Sequence, residues 1–200
     1  MGDVNLRLEP LPVFVPLLAV VCLVLAVRAL RAEAGDRWSS RYIPIRVVTA
    51  VYLAGVLAFT FFPFQIMYGK YADSIDWYNQ INWVPLITLD PSAVPNVIMT
   101  IPLGILLPLI SRRVISWRRA VIVGALFSLA IEISQVLGCV LFNNYRGADI
   151  NDVLVNTLGC ALGYGLVRGA AALRPLGDLA QRYALPGSAM TQEPRVRVGV

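Results

Sequence analysis

The chain has 200 residues, of which 58% are apolar and 14% charged, and its mean hydropathy is +0.68. Soluble domains carry about 25% charged residues, so this chain cannot cover itself with a polar surface, and an ordinary water-soluble globule is excluded in favour of a polytopic membrane protein. There is no histidine. That excludes a Ser-His dyad and any His-ligated metal. Cys22, Cys139 and Cys160 are widely spaced in apolar surroundings and suggest neither a zinc site nor a disulfide framework. The formal net charge of +5 is read as topology, not as a nucleic-acid footprint.

A helix needs about 20 residues to cross a hydrocarbon core of about 30 Å. In chain order, the first apolar run is Pro10 to Val27, 18 residues. Its flank is acidic (Asp3, Glu9), with Arg7 alone basic, so it is expected to stay as a transmembrane helix and not to act as a cleaved signal. The second run is Val47 to Gly69, the third Pro91 to Ser111, and the fourth Ala120 to Tyr145, broken only by Glu132. The fifth, Val153 to Val167, has only 15 residues. The polar Asp149 to Asp152 before it can extend that helix toward an interface. Pro102 and Pro108 in the third run predict a kinked helix. The stretch 70–94 is expected to form a partly helical interfacial connection. The end past Arg174 loses periodicity and is predicted to be mostly without regular structure.

Five spans put 14 basic residues on one side, in 28–46, 112–119 and the tail, against Arg7, Lys70 and Arg146 on the other. The positive-inside rule then predicts an outer N-terminus and a cytoplasmic C-terminus. Tyr68, Tyr71, Trp77, Tyr78 and Trp83 fall near the outer interface, and Trp38 and Trp117 near the inner one, where amphipathic rings anchor a membrane protein.

Candidate functional residues lie toward the outer half. Glu132 sits mid-span, where an acidic group costs roughly 2.5–3.5 kcal/mol on insertion scales, so it must face protein or water. Ser128, Gln135 and Cys139 share its helical face. In the segment 146–156, Asp149, Asp152 and Asn156 are spaced i, i+3, i+7, and the same face continues to Gly159 and Gly163, a GxxxG suited to close helix packing. An N-cap would explain Asp149 on its own, but not Asn156 deeper in the span. Arg146 is placed to pair with Asp149 or Asp152. Asn82 precedes the third span and Asn96 lies within it. Asn96, Glu132, Asp152 and Asn156 are expected to meet in the outer half of one bundle.

These pieces in this order resemble the VanZ-like family of bacterial membrane proteins. Asn82-Trp83-Val84-Pro85-Leu86 looks like the family's Asn-x-x-Pro-Phe/Leu. Asn96 followed by Pro102-Leu103-Gly104, and Glu132 followed by Gln135, match two further pieces. Arg146, Asp149, Asp152, Asn156-Thr157-Leu158-Gly159 and Gly163-Tyr164 match the most specific one. Thr100 stands where the family often has Phe. The resemblance covers residues 47–168, leaving 1–46 as an extra first helix with a basic loop and 169–200 as a tail. It implies a multi-pass protein of a bacterial cell membrane, associated with lowered teicoplanin susceptibility, and brings no agreed reaction.

Two readings follow. In the first, the polar cluster binds a cell-envelope lipid or glycopeptide without chemistry, with Arg146 attracting an anionic headgroup. In the second, a membrane-embedded enzyme acts on an envelope lipid, with Glu132 as acid or base beside an ionised Asp152. No cofactor is expected, except that the carboxylates could hold Mg²⁺ under this enzyme reading. A proton-coupled transporter is a weaker third, since no internal repeat is visible.

Overall fold

The structure, a computed structural model, describes residues 2–33, 38–72, 76–85 and 93–192. It is an almost wholly helical bundle with five helices long and apolar enough to cross a membrane. These are α1 (Pro10–Leu30), α2 (Ile43–Phe61), α3 (Ala93–Ile110), α4 (Trp117–Phe142) and α5 (Ile150–Ala172). The short fifth run becomes a full span because α5 starts at Ile150, directly after Asp149, and continues to Ala172. The second run loses its last residues: α2 stops before Pro63 and the chain goes on as a strand. Pro102 and Pro108 lie inside α3, which the helix passes through without a break. Pro91, where that run begins, lies outside the described residues.

The basic segments gather at one end of the bundle. Arg28 and Arg46 both lie over the Trp38 ring, at 5.3 and 4.5 Å, and Arg41 reaches Arg182. Arg37, Arg195 and Arg197 fall outside the described residues. Two features were not expected from the apolar runs. The first is a two-stranded antiparallel ribbon of β1 (Val4–Leu8) and β2 (Phe64–Tyr68), with Val4 opposite Tyr68 and Leu8 opposite Phe64. It ties the N-terminus to the chain just past α2, and a salt bridge from Lys70 to Asp3 (3.2 Å) extends it.

The second corrects the expectation for the tail. Residues 174–192 form α6 (Arg174–Tyr183) and a short α7 (Ala189–Gln192), and the rest of the tail lies outside the described residues. Their connection seals the end of α3: Leu185 N–H donates to Leu109 C=O and Ala189 N–H to Ser111 C=O, both 2.8 Å. These carbonyls have no partner within their own helix. Ala184 and Met190 complete a core with Ile45, Leu106, Leu109 and Val167. A segment with few long apolar residues is thus ordered by backbone pairing and by small side chains that fit under a helix end.

The closest packing is between α3 and α5. Gly159 lies against Thr100 and the Val97 carbonyl, Gly163 against the Ile101 carbonyl, and Gly104 of α3 against the Cys160 carbonyl. A β-carbon at any of the three would collide with the facing helix. Such contact is available only to small residues, and it is a main source of helix association where lipid removes the hydrophobic drive. Tyr52 adds a link from α2, its hydroxyl donating to Met99 C=O at 3.0 Å.

Gly163→Ala and Gly104→Ala are therefore expected to destabilise the protein by about 1–3 kcal/mol each through forced helix separation. Gly55→Ala, which meets open space, should change stability by less than about 0.5 kcal/mol. Thermal unfolding in detergent checks this, and three equal midpoints would refute the packing account.

Candidate functional site

The candidate site is a cluster of buried and half-buried polar side chains at the arginine-poor end. Its position follows from how the chain returns after α4. Asn143 ends that helix in the left-handed conformation (φ 52°), which asparagine tolerates well. The next six residues run back down alongside α4. Asn144 N–H bonds Gly138 C=O (3.3 Å), the Cys139 thiol donates to Arg146 C=O (3.0 Å), and Asp149 N–H donates to Glu132 Oε2 (2.8 Å). Irregular backbone at such depth is tolerable only when protein satisfies it. α5 therefore starts well below the tip of α4, level with Glu132.

A strap from the 76–85 segment covers this return. Asn82 N–H donates to Ala148 C=O (2.9 Å) and Asn82 C=O accepts from Ile150 N–H (3.1 Å). The Gln80 carbonyl lies so close over Gly147 that no β-carbon would fit there. At the rim, Tyr78 donates its hydroxyl to Asp76 at 2.5 Å, and this bond to a carboxylate raises the phenol pKa.

The eight predicted site residues separate into two groups. Four are engaged in holding the structure. Asp149 is the N-cap of α5: its Oδ1 accepts from Asn151 N–H (2.7 Å) and its Oδ2 from the Asn82 side chain (3.0 Å). Asn82 is thereby the clip of the strap. Gln135 donates to Thr60 C=O (3.0 Å). Arg146, expected to pair with a carboxylate, instead donates to Phe59 C=O (3.0 Å) and Phe62 C=O (2.6 Å). The carbonyls at the end of α2 outcompete the acids because the re-entrant segment places the guanidinium beside them. Arg146 thus braces the end of α2 in place of pairing with a carboxylate.

Asn96, Glu132, Asp152 and Asn156 come together with Ser128. The side chains of Asn96 and Asp152 hydrogen-bond. Ser128 Oγ donates to Asp152 C=O (3.3 Å) and accepts from Asn156 Nδ2 (2.8 Å). Glu132 is 6% exposed, Asn156 2% and Ser128 0%. The Glu132 carboxylate can lie this deep because it faces the N-terminal end of α5, where N–H groups and the helix dipole favour negative charge. Asn156 Oδ1 has no hydrogen-bond partner among the described residues. An acceptor buried without a donor costs about 1–3 kcal/mol.

The Asp/Asn/Gly face of α5 and the polar face of α4 make these residues legible. Ser128 was visible only as a member of the Glu132 stripe, and its part in joining α4 to α5 carried no separate signal. Gln80 had no motif at all.

The comparisons with known proteins agree with this framework. The VanZ/LLP1 family profile matches residues 49–173, more than half of the chain and all of α3, α4 and the polar cluster. The chain belongs to the VanZ/LLP1 family. No curated protein and no solved structure matches it. In this VanZ-like protein the match leaves out β1, α1, the first residues of α2, and all of α6 and α7. Among the described residues no three acidic, Cys or His side chains gather to hold a metal ion.

Arg146→Met would strand the Phe59 and Phe62 carbonyls, at an expected cost of about 2–3 kcal/mol. Asp152→Asn can keep its hydrogen bond to Asn96 and should cost less than about 1 kcal/mol. Unfolding midpoints of the two variants in one detergent test the ranking, and the reverse order would show that Arg146 is not the brace of α2.

Proposed function

We propose that this VanZ-like protein binds a cell-envelope component at the polar cluster of Asn96, Ser128, Glu132, Asp152 and Asn156, with the arginine-poor end facing outward. The observation that carries this reading is the unpartnered, buried Asn156 Oδ1 beside two carboxylates. The site is rich in acceptors, and the guanidinium of Arg146 is turned away from it to α2. Such a surface suits ligands that present donors, such as hydroxyls, amide N–H groups or an ammonium, in preference to a phosphate. Glycan and peptide parts of envelope precursors and glycopeptides carry these groups. The outward orientation is supported by the gathering of arginines at the opposite end. Family membership is the support for a link to teicoplanin susceptibility.

An enzyme acting on an envelope lipid would use the same Glu132 and Asp152, one as acid or base and the other ionised. The two readings separate on Glu132→Gln, which keeps hydrogen-bonding capacity but cannot exchange a proton. Binding tolerates that change in part, whereas acid–base turnover does not.

The test is teicoplanin and vancomycin susceptibility of a susceptible Gram-positive host expressing wild type, Glu132→Gln or Asp152→Asn at matched membrane levels. Wild type is expected to protect against teicoplanin, Asp152→Asn to abolish protection and Glu132→Gln to weaken it. Full protection by both variants would remove the polar cluster from the function. No protection by wild type would remove the antibiotic role and leave the envelope ligand to direct binding measurements.

A further inference from the structure

At the arginine-rich end, far from the polar cluster, Arg41, Asp178, Gln181, Arg182 and Thr191 line a cleft of about 620 Å³. That volume lies within the usual range of small-ligand sites. Its two guanidiniums come from opposite ends of the chain. Arg41 sits in the turn before α2 and donates Nε–H to Arg182 C=O at 2.9 Å, and each arginine lies over the ring of its neighbour, Tyr42 or Tyr183. These contacts hold both side chains at the cleft. Among the described residues Asp178 is the only acid lining it, against two arginines, so the cleft carries a net positive charge that favours an anion.

α6 also says which anion. Around its axis, Arg174, Asp178, Gln181 and Arg182 fall on one arc, while Leu176 and Leu179 fall on another and are exposed. Leu173 and Leu176 line an apolar groove that continues over Leu162, Leu166 and Gly169 of α5 and Trp117 of α4. Because α5 is a membrane span, that groove faces the acyl chains. α6 therefore has the make-up of an interfacial helix, leucines toward the hydrocarbon and arginines at headgroup level.

We propose that the cleft between α6 and the turn before α2 binds the phosphate of an anionic phospholipid headgroup. Paired arginines suit phosphate, which accepts from two guanidinium forks at once. The partner is the lipid of the leaflet in which the arginine-rich end lies, and the effect is to pin α6, and with it the seal on α3, to that surface.

The test uses the full chain in a neutral detergent. Its unfolding midpoint is followed against dioctanoyl phosphatidylglycerol, dioctanoyl phosphatidylcholine and sodium phosphate at constant ionic strength. Phosphatidylglycerol is expected to raise the midpoint, and the other two are not. Arg182→Gln should raise the half-saturating phosphatidylglycerol concentration roughly tenfold, the loss of one charge-assisted contact. Asp178→Asn should lower it. Arg113→Gln, at the same end but outside the cleft, should leave it within about twofold, as general surface charge would not. Should Arg182→Gln fail to fold, Arg182→Lys, which keeps the charge but loses the fork, and Asp178→Asn decide. An equal response in wild type and Arg182→Gln, or in the substitutes, would overturn the site. Sodium phosphate raising the midpoint as much as phosphatidylglycerol would overturn the lipid and leave a site for free phosphate.

Discussion

The approach of α3 to α5 over glycine is the contact on which the rest of the protein depends. Lipid tails are as apolar as leucine, so two helices gain little by touching unless their backbones come close. Gly104, Gly159 and Gly163 allow that approach. It has a second effect one to two turns farther along. Asn96 of α3 meets Asp152 of α5 because the glycine contacts fix both the distance and the rotation of the two helices. The polar cluster is thus an extension of an apolar packing motif, and a wider helix separation would leave its members unable to reach one another.

Helix ends are the other constraint. Each span leaves carbonyls that must be satisfied without the freedom of a long solvated loop. α2 is finished by side chains from elsewhere, Arg146 and Gln135, and α3 by backbone N–H groups of the connection between α6 and α7. Both solutions join parts of the chain that are distant in sequence. They explain why residues that look functional in the amino-acid pattern, such as a lone arginine beside two aspartates, are used as braces.

Much of the architecture is legible in the order of the amino acids. Runs of apolar residues locate all five spans, because length and hydropathy report a local property. The inward face of α4 is legible because Glu132 is too costly to point at lipid, and the glycine pair because its spacing matches the helix period. What escapes depends on tertiary partners. Nothing in Val4–Leu8 announces that it pairs with Phe64–Tyr68. Arg146 can be assigned to Asp149 or Asp152 by proximity along the chain, yet the re-entrant backbone turns it toward α2. The end past Arg174 is short of apolar residues, so its order, supplied by Ala184, Ser188 and Ala189 under a helix terminus, has no hydrophobic signature.

The ribbon of β1 and β2 bears on how the protein is assembled. Its strands are separated by α1 and α2, and both lie at the arginine-poor end. The ribbon can close only after two spans have been laid across the bilayer and the second has delivered residues 64–68 to the side where the N-terminus waits. From then on α1, whose one buried side chain among the described residues is Phe14, set against Phe62, is tethered to the bundle by backbone pairing as well as by packing on α2. The first helix is thus held both by its packing against α2 inside the membrane and by a ribbon at the arginine-poor end.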